Sequence, residues 1–161
     1  MPGYLAIIAG KDEFLVDQDG RACFEKAKKA AGADAEAEVI NGQIIRVDDA
    51  RVLEVQFTES VKTLSMFGSK RVIWLRNLNL VSDSVQAKSE EVKESLANML
   101  KVVVESDPAV SIIISATPYD GRRKDLSSLK SEATDFILHA SPSKSPFDKS
   151  DAQADAQVAL A

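Results

Sequence analysis

Short runs of uninterrupted apolar residues alternate along this chain with longer stretches in which apolar positions recur every three or four residues. Residues 5–9 (LAIIA) are apolar throughout, the pattern of a strand covered on both faces. Residues 11–32 then read as a helix. Asp12 can cap it, acidic residues fill its first turns, basic ones its last, and Gly32 stops it. That order of charge complements the helix dipole. Its buried stripe runs through Val16, Gly20, Cys23, Ala27 and Ala30 or Ala31.

The alternation continues. Residues 37–40 (AEVI) predict a second strand, and residues 49–65 a second helix, with Leu53, Phe57, Val61 and Leu64 on one face. Residues 71–75 (RVIWL) predict a third strand, in which Trp74 is a core residue. A polar segment spans residues 77–89. A third helix follows over residues 90–106, with Val92, Leu96, Met99 and Val103 as its stripe. Residues 111–115 (SIIIS) make a fourth strand, 124–133 (KDLSSLKSEA) a short helix and 135–139 (DFILH) a fifth strand. The fold class this predicts is α/β: a five-stranded, mostly parallel sheet with helices on both faces, joined by right-handed crossovers. Residues 1–140 form this domain. Residues 141–161, small, polar and Pro-containing, read as a linker or the truncated start of a following helical domain.

Composition narrows the function classes. A chain of 161 residues, 45% apolar and 28% charged, suits one domain with a sizeable core. No stretch approaches the roughly 18 apolar residues of a membrane span, and the first apolar run lacks a basic leader, so a cytoplasmic protein without membrane contact is expected. The net charge of −5 argues against a domain that grips nucleic acid by itself. One cysteine, Cys23, reads as a small buried apolar residue and excludes a disulfide framework. One histidine, His139, reads as a residue at a strand end, so no metal site is expected.

A parallel sheet binds ligands at the carboxyl ends of its strands, which directs attention to the turn after the first one. A phosphate loop there requires GxxxxGK[ST]. Gly10 and Lys11 lack the earlier glycine and the following hydroxyl, and Asp12 and Glu13 put carboxylates where phosphate oxygens would sit. A phospho-accepting site would need an aspartate at the end of the third strand, where Arg76 and Asn77 stand. GxGxxG and GxSxG are absent. Neither a cofactor nor catalysis is expected.

Three segments in order, YLAIIAGKDEFLVD (residues 4–17), LSMFGSKRVIWLRN (64–77) and PYDGRRKDLSSL (118–129), closely resemble the N-terminal domain of the delta subunit of the bacterial DNA polymerase III clamp loader. The most specific phrase is MFGSKRVIWLRN. The resemblance covers residues 4–140. It implies an AAA+-like, P-loop-type domain that lacks a functional phosphate loop and is not itself catalytic. It further implies binding and opening of the sliding clamp (the beta subunit) during DNA replication. The implied partners in a full-length protein are the delta prime and gamma/tau subunits, with DNA met only through the assembled complex. The alternative is a degenerate nucleotide-binding domain that keeps weak nucleotide affinity or serves as an adaptor in another complex.

The implied clamp-contacting element offers two adjacent large apolar residues, here Met66 and Phe67. Leu64 and Ser65 lead into them, and Lys62 and Thr63 begin the element. Clamp-binding peptides commonly begin with Gln and carry Leu where this chain has Lys62 and Met66. Pattern alone admits another reading: Phe67 continues the stripe of Leu53, Phe57, Val61 and Leu64, with Met66 the last helical residue, Phe67 the C-cap and Gly68 just beyond it. The basic loop Arg122, Arg123, Lys124 either faces a neighbouring subunit, as the family suggests, or is a solvated helix start.

Overall fold

The computed structural model describes residues 1–63 and 69–139. In chain order the elements are β1 (Tyr4–Ala9), α1 (Glu13–Ala31), β2 (Glu36–Asn41), α2 (Val47–Lys62), β3 (Arg71–Leu78), α3 (Glu90–Glu105), β4 (Val110–Ala116) and β5 (Asp135–Leu138). A 3-10 turn, Ser127–Leu129, precedes β5. The five strands form one sheet in the order β2-β3-β4-β1-β5. Every pairing is parallel. This is an α/β fold consistent with an AAA+-like clamp-loader domain.

The pleat divides the apolar runs between two cores, because successive side chains point to opposite faces. On one face Ala6, Ile8, Val72, Trp74 and Ile113 meet Val16, Cys23, Phe24 and Ala27 of α1. On the other, Leu5, Ile7, Ile73, Leu75, Ile112 and Ile114 meet Leu53, Phe57 and Val61 of α2 and Leu96, Met99 and Val103 of α3. Both faces of the central strands are therefore dry, which is why their sequences carry no polar alternation.

The first helix begins as its sequence predicts. The Asp12 carboxylate accepts from the N–H groups of Phe14 (3.0 Å) and Leu15 (3.3 Å). Gly32 closes it at φ +105°, a conformation that favours glycine. Its buried stripe is Val16, Gly20, Cys23, Phe24 and Ala27; Ala30 is exposed and Ala31 half-buried, so the stripe ends a turn earlier than expected. At Gly20 the helix lies closest to the sheet, where an added Cβ would stand 3.0 Å from the Trp74 ring and 3.1 Å from Ser115 Cβ.

Other expectations are corrected. The second helix starts at Val47 rather than Asp49, because Asp49 accepts from the N–H groups of Arg46 (2.9 Å) and Ile45 (3.1 Å) from inside the first turn. It ends at Lys62 rather than Ser65. The third strand runs on to Leu78 through an irregularity after Leu75, with Asn77 at φ +58°. The stretch read as polar is not simply so: Leu78, at the end of β3, and Leu80 and Val81 after it are buried in the α2/α3 core, and Ala87 is buried as well. The predicted helix at residues 124–133 is only the single 3-10 turn.

Candidate functional site

The implied clamp-contacting element falls on the α2–β3 connection. In a parallel sheet this connection lies at the amino ends of the strands, the edge opposite the turn after β1. Strands of six residues separate those edges by about 20 Å. Of the expected site residues, Lys62 ends α2 and Thr63 is its C-cap, both exposed. Leu64, Ser65, Met66 and Phe67 lie outside the described residues, as do Gly68, Ala140 and residues 141–161.

The helix end is sharply defined. Thr63 has φ −69° and ψ 128°, already extended, and both its N–H (3.0 Å) and its hydroxyl (2.6 Å) donate to the Glu59 carbonyl. The C-cap is therefore Thr63 and not Phe67, which corrects the reading that runs the helix through Met66. Within α2 the last buried residue is Val61.

On the far side of the connection, β3 is tied on both flanks. The Lys70 carbonyl accepts from Glu36 N–H at 2.9 Å, and Arg71 N–H donates to the Ala109 carbonyl at 3.1 Å. The Arg71 side chain, 11% exposed, reaches back across the base of the connection. Its guanidinium donates to Glu36 (2.5 Å), Glu38 (3.3 Å) and Ser60 Oγ (3.2 Å). Ser60, in the last turn of α2, donates to the same Glu38 at 2.5 Å. Sequence reading passed over Ser60, Glu38, Glu36 and Arg71. The one available signal was an arginine opening an otherwise apolar strand.

At the opposite edge, the turn after β1 is occupied from within. Asp12 takes the N–H groups of Phe14 and Leu15 in the first turn of α1, donors that a phosphate would need. His139 packs so closely that a Cβ on Gly10 would stand 2.8 Å from its own Cβ. Its Nε2 lies 2.6 Å from Asp19 Oδ2, so β5, α1 and the turn are pinned together. Arg76 forms a two-pronged pair with Asp17 (2.6 and 3.0 Å) over the face of Trp74. Among the described residues no group of His, Cys, Asp or Glu is arranged to hold a metal ion.

The basic loop divides into different roles. Arg122 is exposed and pairs with Asp120 (3.0 Å) and Asp83 (3.2 Å). Arg122 holds the Asp120 carboxyl down to about 2, chiefly by its hydrogen bond. Arg123 is largely buried, with Nε on Asp125 (2.8 Å) and Nη1 on the carbonyls of Ala87 (3.2 Å) and Ser82 (3.4 Å). It ties the 82–87 stretch to the turn before β5. Lys124 is exposed and its ammonium makes no ion pair among the described residues.

Among the described residues no helix is long and apolar enough to cross a membrane. No curated protein matches the sequence. The family model described as DNA polymerase III, delta subunit, matches residues 7–137, from within β1 to within β5, and the chain belongs to that family.

Proposed function

We propose that this domain is the sliding-clamp-binding part of a delta subunit, that it is not catalytic itself, and that Met66 and Phe67 are its anchors. The family is a non-catalytic component of the clamp loader. The observation that carries the finer reading is the end of α2 at Lys62. The apolar pair follows a helix that has already stopped. Lys62, Thr63, Leu64 and Ser65 lead into the pair.

Two such side chains seated in a hydrophobic pocket contribute roughly 1.5–3 kcal/mol each, enough for a two-residue hot spot to dominate a small interface. In this reading the clamp is opened by binding, and ATP is hydrolysed by sister subunits. The occupied turn after β1 supports that division of labour. Delta prime and gamma/tau are the further partners, DNA is met only through the complex, and Arg122 and Lys124 are the loop residues available to face a neighbour. Arg123, held by Ala87 and Asp125, supports that loop from beneath.

The test replaces Met66→Ala and Phe67→Ala together and measures sliding-clamp binding and thermal melting. Loss of binding with an unchanged melting temperature is expected. Unchanged affinity overturns the reading, and loss of the thermal transition makes the pair part of the core.

A further inference from the structure

We infer that Arg71 is a positioning residue for clamp recognition: with Ser60 and Glu38 it closes the base of the connection that carries Met66 and Phe67. The inference rests on the clamp-binding reading above.

The connection leaves α2 at Thr63 and rejoins the sheet at Lys70 and Arg71. Its two ends are fixed by separate means. Both the N–H and the hydroxyl of Thr63 are held by Glu59 on the helix side. Backbone bonds from Glu36 and to Ala109 hold the strand side. Among the described residues, a side-chain network joins the two ends to each other. Arg71 reaches Ser60, eleven positions earlier, at 3.2 Å, and both contact Glu38 on the neighbouring strand.

The chemistry is specific. A planar guanidinium can address two carboxylates and a hydroxyl at once, which a lysine ammonium on a flexible stem does less well. Stability is a poor explanation for the arrangement. Arg71 Nε is buried without an acceptor, and taking a guanidinium out of water is costly. Apolar residues would fill the same space without that cost. What the network supplies is a fixed distance and orientation between helix end and strand start. Holding the ends of a short segment lowers the entropy lost when its anchors dock.

Clamp affinity is measured for the wild-type chain, Ser60→Ala, Arg71→Met, the double variant and the Met66→Ala/Phe67→Ala chain. A free peptide of residues 62–70 serves as a competitor, and each chain is melted in parallel. Arg71→Met is expected to weaken clamp binding about tenfold and Ser60→Ala about threefold. The double variant is expected to match Arg71→Met, since both act through one network. The peptide should bind no tighter than the double variant.

A purely structural network would instead lower the melting temperature and leave affinity untouched well below it. Wild-type affinity in both single variants, with binding still lost in the Met66/Phe67 chain, overturns the positioning role and leaves the clamp reading standing. No effect of the Met66/Phe67 replacement removes both. Where Arg71→Met fails to fold, Ser60→Ala decides alone, because it deletes one hydroxyl and leaves the guanidinium with its carboxylates.

Discussion

Trp74 donates its indole N–H to Ser115 Oγ at 2.9 Å, and both residues are buried on neighbouring strands beneath α1. The bond satisfies the one polar atom of the largest core side chain on that face. Gly20 sits directly over the pair. Ser115→Ala would leave the indole N–H orphaned in a dry core, at a cost of about 1–3 kcal/mol. Urea unfolding should show a lower midpoint with an unchanged slope.

Gly20→Ala tests the same contact from the helix side. Alanine favours a helix over glycine by up to about 1 kcal/mol. Its Cβ, however, would meet Trp74 at 3.0 Å and Ser115 at 3.1 Å. Each neighbour would have to give by a few tenths of an ångström inside a dry core where the two are held to each other, so overpacking wins. The variant should melt below the wild type, whereas alanine at an exposed helical glycine would raise the melting temperature.

Leu80→Ala addresses the segment that reads as polar. Leu80 is fully buried, so its truncation should cost about 2–5 kcal/mol, as for any large core aliphatic. A cost below 1 kcal/mol, measured by chemical denaturation, would show that this stretch is not part of the core.

These residues mark where the fold was legible. The five strands stood out because two dry faces leave continuous apolar runs, and α1 because Asp12 and Gly32 punctuate it. The 77–81 stretch misled because Asn77 takes a left-handed turn, which breaks the strand pattern before Leu78, Leu80 and Val81 enter the core. Residues 124–133 lack a full helix because Ser127 and Ser128 donate to the Lys124 and Asp125 carbonyls, competing with helical bonding. At the candidate site, Met66 and Phe67 were marked by resemblance and the end of α2 was misplaced by three residues, at Ser65 instead of Lys62. The helix ends where Thr63 turns extended, at ψ 128°, which no periodicity encodes. Of the Arg71 network only the arginine opening an apolar strand was visible, because its partners are remote in sequence.

Acid should loosen the basic loop before it melts the core. Asp120, held down to about 2 by Arg122, binds its proton less readily folded than unfolded. Asp83 is lowered as well, first by its hydrogen bond from Lys88. A depressed carboxylate stabilises the fold above its unfolded value near 4, and that contribution is lost as pH falls from about 4 toward 2. A carboxyl-detected titration should place Asp120 near 2 in the wild type. Arg122→Ala should move it up toward the ordinary range; an unmoved midpoint would show that the Arg122 pair does not exist in solution.

Lys62→Gln separates the needs of the helix from those of the partner. Lys62 is a cation in the last turn of α2, where it favours the helix dipole by about 0.3–1 kcal/mol. Replacing it should lower the melting temperature slightly. An ammonium only donates hydrogen bonds, whereas a glutamine amide donates and accepts. If the connection docks as a clamp-binding peptide, glutamine adds one hydrogen bond, worth about 0.5–1.5 kcal/mol, or roughly two- to tenfold in affinity. The expected outcome is a chain that melts lower and binds the sliding clamp more tightly. Titration calorimetry against the clamp checks the second half. Equal or weaker binding would mean that the contact begins after Lys62 and is carried by the apolar pair.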